Sequence, residues 1–216
     1  MTTKRFLDCS ASDLAAMNKD ELLYAIRASE GRVMVSETIA VTQPLLNNVT
    51  NAELAASQGA DILLINMFDS ENPQIQGMPA NTPPEELLQT LQHLTGRIIG
   101  VNLEAVDPAY ASNHDEIWKM KQGRAATAAN ARKLVAMGAR ILVLTGNPGN
   151  GVGNRALGEA VREIREAVGD NAVLITGKMH GAGVVRESGS AIISEEDGTW
   201  FARQGAGNVL VPAPGT

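Results

Sequence analysis

A single cysteine, Cys9, stands in the 216 residues, which excludes an intrachain disulfide and any cysteine-based metal centre. Aromatic residues contribute only 3%, while Ala, Val, Leu, Ile and Gly dominate, a bias suited to buried parallel strands covered by alanine-rich helices. No basic run or Lys/Arg stripe occurs and the formal net charge is −6, so the clustered positive charge that holds a nucleic-acid backbone is missing. The N-terminus MTTKRFLDCS has no apolar segment of signal-peptide length. Nor does any stretch approach the about 18 to 20 apolar residues of a membrane span. These absences predict a cytoplasmic protein that engages neither nucleic acid nor membrane.

Hydrophobic residues make up 44% and charged residues 19%, an ordinary composition for a folded chain, and the length suits one domain over residues 1–216. Six apolar runs, at 33–35, 62–65, 98–101, 141–144, 173–175 and 209–211, are continuous rather than alternating, as strands buried on both faces read. Helical periodicity fills the intervals. Asn81-Thr82-Pro83 opens one helix, with Leu87, Leu88, Leu91 and Leu94 inward and Gly96 beyond its end. Asn154 begins another, with Leu157, Val161, Ile164 and Val168 at spacings of three and four. Ser194 stands three residues before Asp197, a relative of the capping box. An extra helix is expected over 18–30, ahead of the first strand. Gly59-Ala60, Gly138-Ala139 and Gly205-Ala206 each lie between a helix and a strand, where glycine can take the left-handed conformation that ends a helix.

This alternation predicts an α/β fold, a TIM-type (β/α)8 barrel of which the chain supplies about six βα units plus the N-terminal helix. A doubly wound sheet would alternate too. However, SETIAVTQPLL after the first strand contains no glycine, so the dinucleotide fingerprint is absent. Polar residues also end most strands rather than only the pair at a switch point. A full barrel needs two more units, on the order of 60 residues. The expectation is therefore a fragment of a longer reading frame, or else a second chain or homo-oligomer that completes the barrel.

Barrel sites form where strands end. Those ends hold Ser36 and Glu37, Asn66 and Asp69, Asn102 and Glu104, Thr145 and Asn147, and Lys178 and His180. Alternate residues share a face, so Asn102 should point with Glu104, and Lys178 with His180. Lys178 directly follows a buried strand, where a low-dielectric pocket lowers an amine's pKa and makes it a nucleophile towards a carbonyl; the other reading pairs it with Glu104 or with an anionic group of a ligand. His180 suits general acid–base work, whereas His93 and His114 read as surface residues. The histidines offer no zinc-ligand spacing. Glu37, Asp69 and Glu104 have the oxygen ligands for Mg²⁺, although their spacing does not demand it. In TGNPGNGVGN, Gly146, Gly149, Gly151 and Gly153 precede a helix, and backbone amides of such a loop cradle anions when it is more than a plain connection. The long connections over 107–122 and after the second strand have the length of lids.

The segments NMFDSENPQIQGMPA, GVNLEAVD, LTGNPGNGVGN, GKMHGAG and VLVPAPGT resemble a family of uncharacterised bacterial TIM-barrel proteins, classed as a domain of unknown function, some of whose members carry the label haloacid dehalogenase-like hydrolase. The resemblance runs along nearly the whole chain, and it implies further βα units beyond VPAPGT. It supplies no reaction. Dehalogenase-type hydrolases need an Asp-x-Asp pair after the first strand, and GRVMVSETIA has none.

The residues thus predict an enzyme acting on a small polar or anionic metabolite, by lyase or isomerase chemistry at a carbonyl-bearing carbon. Lys178, His180 and Glu104 form the catalytic set. Glu37, Asn66, Asn102, Thr145, Gly146, Asn147, Gly149 and Gly151 bind substrate. The rival readings are a metabolite-binding barrel without turnover and a metal-assisted phosphotransfer or hydrolytic enzyme.

Overall fold

The computed structural model describes residues 4–106, 121–145, 152–178 and 193–211. Its elements are α1 (Ala11–Ala16), α2 (Lys19–Ala28), β1 (Val35–Ile39), α3 (Asn51–Ser57), β2 (Ile62–Asn66), α4 (Leu87–Thr95), β3 (Ile98–Glu104), α5 (Ala128–Ala136), β4 (Ile141–Thr145), α6 (Asn154–Val168), β5 (Val173–Gly177), α7 (Glu195–Gln204) and β6 (Asn208–Leu210). All six strands pair in parallel, in the order β1-β2-β3-β4-β5-β6. A doubly wound sheet reverses its strand order at a switch point. This sheet never reverses, so it has the singly wound order of a barrel and forms a six-stranded part of one. Among the described residues, no helix is long and apolar enough to cross a membrane.

Parallel partners in register share a face, and successive residues alternate between faces. Ile62 pairs with Ile98, Gly100 with Ile141, and Ile141 with Val173. These residues, with Leu64 and Val143, form the inner face. Phe6, Leu14, Met17 and Leu22, from the N-terminal turn and helices, plug its N-terminal half. The alternate residues Leu63, Ile99, Leu103, Leu142, Leu144 and Leu174 point outward and pack under α3 to α7. Each such burial stabilises by roughly 1.5–3 kcal/mol. With the lower half plugged by apolar side chains, polar residues of the inner face are left at the C-terminal half.

Local signals place most boundaries. Capping boxes start α1 at Ser10, α2 at Asn18, α3 at Thr50 and α7 at Ser194. The helix-to-strand glycines Gly59, Gly138 and Gly205 take φ of 99°, 108° and 107°, as the repeat predicts. Leu157, Val161, Ile164 and Val168 are all buried.

Three expectations shift. The expected helix over 18–30 is α2, preceded by the separate helix α1. The first strand is Val35–Ile39 rather than 33–35, because β1 is an edge strand whose residues alternate instead of forming an apolar run. Pairing begins where the Asp61 carboxylate accepts the Met34 N–H at 2.8 Å. Leu94 is 45% exposed. Periodicity identifies the inward face of α4 but not how far the neighbouring surface extends along it.

Two outcomes test this packing. A Cβ on Gly158 of α6 would stand 2.2 Å from the Trp200 ring on α7. Gly158→Ala gains about 1 kcal/mol of helix propensity but overpacks by roughly 1–3 kcal/mol, so the urea midpoint should fall; a raised midpoint would show that the ring swings clear. The Ser10 N–H and the Lys4 ammonium both reach the Asp13 carboxylate at 2.9 Å and lower its pKa to about 2. A carboxylate whose folded value lies below its unfolded value stabilises above the unfolded pKa. That contribution is therefore complete above the ordinary value of 3.8 and is lost as pH falls towards about 2. A carboxyl NMR titration of Asp13 with its midpoint near 4 would refute it.

Candidate functional site

The register puts Glu37, Asn66, Asn102 and Thr145 on the inner face of four adjacent strands, with Asn66 and Thr145 as the last residues of β2 and β4, Asn102 two residues before the end of β3 and Glu37 in the middle of β1. Their side chains join in one line. Thr145 Oγ1 donates to Asn102 Oδ1 at 2.6 Å, Asn102 Nδ2 donates to Asn66 Oδ1 at 3.3 Å, and Asn66 Nδ2 donates to Glu37 Oε1. The direction of this relay follows from its last member. An ionised carboxylate only accepts, so Asn66 turns its amide nitrogen to Glu37 and its oxygen to Asn102; Asn102 then faces its own oxygen to the hydroxyl. Thr145 and Asn102 are buried while Glu37 is exposed. The relay thus runs from the interior to the open edge of the sheet. Asn66 Oδ1 also accepts the Met67 N–H at 2.7 Å, holding Met67 at φ 55°, a conformation uncommon outside glycine.

Glu104, at the end of β3, is buried and paired with the buried guanidinium of Arg124. Arg124 arrives from a short turn, Gln122–Arg124, whose backbone extends the sheet: Ala125 bridges Glu104, and the Ala126 N–H reaches the Glu104 carbonyl at 2.9 Å. The turn is clamped from two sides. Asn130 Nδ2 on α5 donates to the carbonyls of Gln122 and Ala125 at 2.8 and 3.0 Å, and the Gly123 carbonyl accepts from the Ser70 N–H at 3.1 Å. A side chain on Gly123 has no room, since its Cβ would lie 1.9 Å from Asp69 Oδ1. Beside the pair opens a cavity of about 360 Å³, lined by Val41, Met67, Asp69, Asn72, Gln74, Lys121 and Arg124.

Lys178 follows β5 directly and is 2% exposed. The preceding Gly177 must be glycine, because a Cβ there would meet the Leu210 carbonyl oxygen of β6 at 2.0 Å. Lys178 thus leaves the sheet at the same end as the relay and the ion pair. His180, Gly146, Asn147, Gly149, Gly151 and His114 lie outside the described residues, as does the connection over 107–120.

Other candidates separate from this group. Ser36 pairs with Leu63 and so belongs to the outer face; a one-residue step along a strand changes the face. Asp69 caps its own turn, accepting from the N–H groups of Glu71 and Asn72 at 2.9 and 3.3 Å. Among the described residues, no three His, Cys, Asp or Glu side chains converge as metal ligands. Glu37, Asp69 and Glu104 each hold different partners. His93 is exposed on α4, as expected. The long connection after β2 is stitched down rather than lid-like. Gln76 donates to the Ala40 carbonyl at 2.9 Å, and Ile75 and Met78 pack on the core.

Sequence reasoning missed Arg124 and Asn130. The one available signal was a charge set among small residues in GRAATAANA, just ahead of a helix.

A family model described as a domain of unknown function (DUF7916) matches residues 7–216. That description names no reaction, so the haloacid dehalogenase-like label has nothing in it to rest on. No curated protein matches the chain. Among solved structures, the chain is similar to a candidate fructose-1,6-biphosphate aldolase from Coccidioides immitis, at 16% identity and a TM-score of 0.47, over 92% of this chain and 62% of that one. It is also similar to a 2,3-dimethylmalate lyase of the PEP mutase/isocitrate lyase superfamily (12% identity, TM-score 0.49, 87% of this chain and 60% of that one). A candidate phosphonomutase from Burkholderia cenocepacia J2315 matches at 15% identity and a TM-score of 0.46, over 83% of this chain and 68% of that one. The chain therefore spans 60–68% of the length of these neighbours. No activity follows from such distant matches.

Removing one partner of a buried ion pair strands the other. Glu104→Ala should therefore cost about 3–5 kcal/mol, whereas Glu104→Met combined with Arg124→Met should recover most of it. Chemical denaturation of both variants checks this, and a Glu104→Ala cost below about 1 kcal/mol would mean that the pair is solvated.

Proposed function

The chain belongs to the DUF7916 family, a domain of unknown function, and from the chemistry at its strand ends we propose that it is a barrel enzyme performing lyase or isomerase chemistry at a carbonyl-bearing carbon of a small anionic metabolite. The observation that carries this reading is the burial of Lys178, 2% exposed, at the sheet end that also holds the buried Glu104–Arg124 pair. Burying ionisable side chains is costly, and such groups gathered in a barrel mouth mark sites of chemistry.

In this proposal Lys178 takes the substrate carbonyl, as an imine or by charge. Glu104 and His180 move the protons that shift when a bond to the neighbouring carbon breaks or rearranges. Glu37, Asn66, Asn102 and Thr145 orient the polar substituents. Because the relay ends on an acceptor-only carboxylate, Thr145 Oγ1 has its hydrogen committed to Asn102, leaving its lone pairs for a substrate hydroxyl. Gly146, Asn147, Gly149 and Gly151 complete the binding set as a backbone cradle.

The test is NMR-monitored turnover of a panel of small hydroxy and oxo acids, repeated with Lys178→Ala. Turnover should appear for at least one acid and vanish in the variant. An unchanged rate removes Lys178 from the mechanism, and tight binding without conversion favours a binding barrel. Borohydride with substrate separates the two roles of the lysine: a covalent adduct on Lys178 marks an imine, and none marks charge binding.

A further inference from the structure

The ion pair uses one nitrogen of Arg124. Among the described residues the hydrogen-bond partner of its guanidinium is Glu104, through Nη2, while the same side chain lines the cavity of about 360 Å³. A guanidinium carries five N–H donors in a rigid fork, so among the described residues its other donors have no partner and face whatever enters. The exposed Lys121 also lines that cavity, with Gln74 and Asn72. The carboxylate that could oppose an anion there, Asp69, has an oxygen committed to two backbone N–H groups of its own turn.

Arg124 is also held in advance of any ligand. Glu104 fixes its head, and its backbone is clamped by Asn130 on one side and by the close approach of Gly123 to the Asp69–Ser70 turn on the other. A side chain already ordered loses little freedom on binding. A fork of parallel N–H donors matches two oxygens of one anionic group.

We infer that this cavity is a subsite for the two-oxygen edge of a carboxylate or phosphoryl group, with Arg124 forked onto the oxygens and Lys121 closing over them. The inference rests on the function proposed above and extends it to the substrate's second end. The molecule carries its anionic group apart from the carbonyl that Lys178 takes, and the cavity lined by Arg124 selects for it.

Titration calorimetry of the full chain with malonate and, separately, with inorganic phosphate tests this without any turnover. Saturable one-to-one binding is expected, weakened several-fold by Lys121→Ala and at least tenfold by Arg124→Lys. Tighter malonate binding identifies the group as a carboxylate; tighter phosphate binding identifies a phosphoryl group. If Arg124→Lys does not fold, as judged by circular dichroism, the surface change Lys121→Glu decides, and it should abolish binding. Absence of saturable binding by either anion overturns the subsite, as does binding that ignores both Lys121 and Arg124. Binding lost only in Lys178→Met places the anion on Lys178, which overturns the subsite and leaves the proposed reaction standing.

Discussion

Consecutive parallel pairing constrains everything else in this molecule. Because each strand joins its neighbours in chain order and in register, the side-chain period of two separates each strand into an outward apolar set and an inward mixed one. Leu63, Leu103, Leu142 and Leu174 have helices over them; one step of slippage would drive Asn102 and Glu104 under those helices instead. The N-terminal turn and α1 and α2 then fill the lower inner face with Phe6, Leu14 and Met17. Polar residues on the inward set can lie only at the opposite end, where the strands finish.

That placement creates a problem of satisfaction which the side chains solve among themselves. A buried amide or hydroxyl without a partner costs about 1–3 kcal/mol, and Asn102 and Thr145 are both buried. Linking them through Asn66 to Glu37 gives each of these polar groups a partner, with the carboxylate at the exposed edge, where its own solvation is cheap. Glu104 cannot use that exit, since it is buried. Its charge is met instead by Arg124, brought in by a turn that is an extension of the sheet.

Function on such a scaffold resides in the strand ends rather than in the fold. The family is one of unknown function, and it is burial and charge that set Lys178, Glu104 and Arg124 apart from the other strand-end residues. The relay and the ion pair tie side chains of four neighbouring strands and the returning turn to one another.

Much of the architecture was legible without coordinates. Continuous apolar runs marked β2 to β5, since strands covered on both faces have no polar phase. The glycines before the strands and the boxes at helix starts are local signals that need no distant partner. The same logic failed at β1, an edge strand that alternates, and at Leu94, whose exposure depends on what lies beside it. Glu37, Asn66, Asn102 and Thr145 were visible as a set because strand ends converge in any barrel. The strand period alone turns Ser36 and Glu37 to opposite faces; only tertiary structure decided that Glu37 is the inward one. It alone decided that Glu104 pairs with Arg124, twenty residues along the chain, and that Asn130 clamps the turn between them. Sequence encodes the period and the punctuation of this chain; which charges meet is set by how loops return to the sheet, and no local pattern records that.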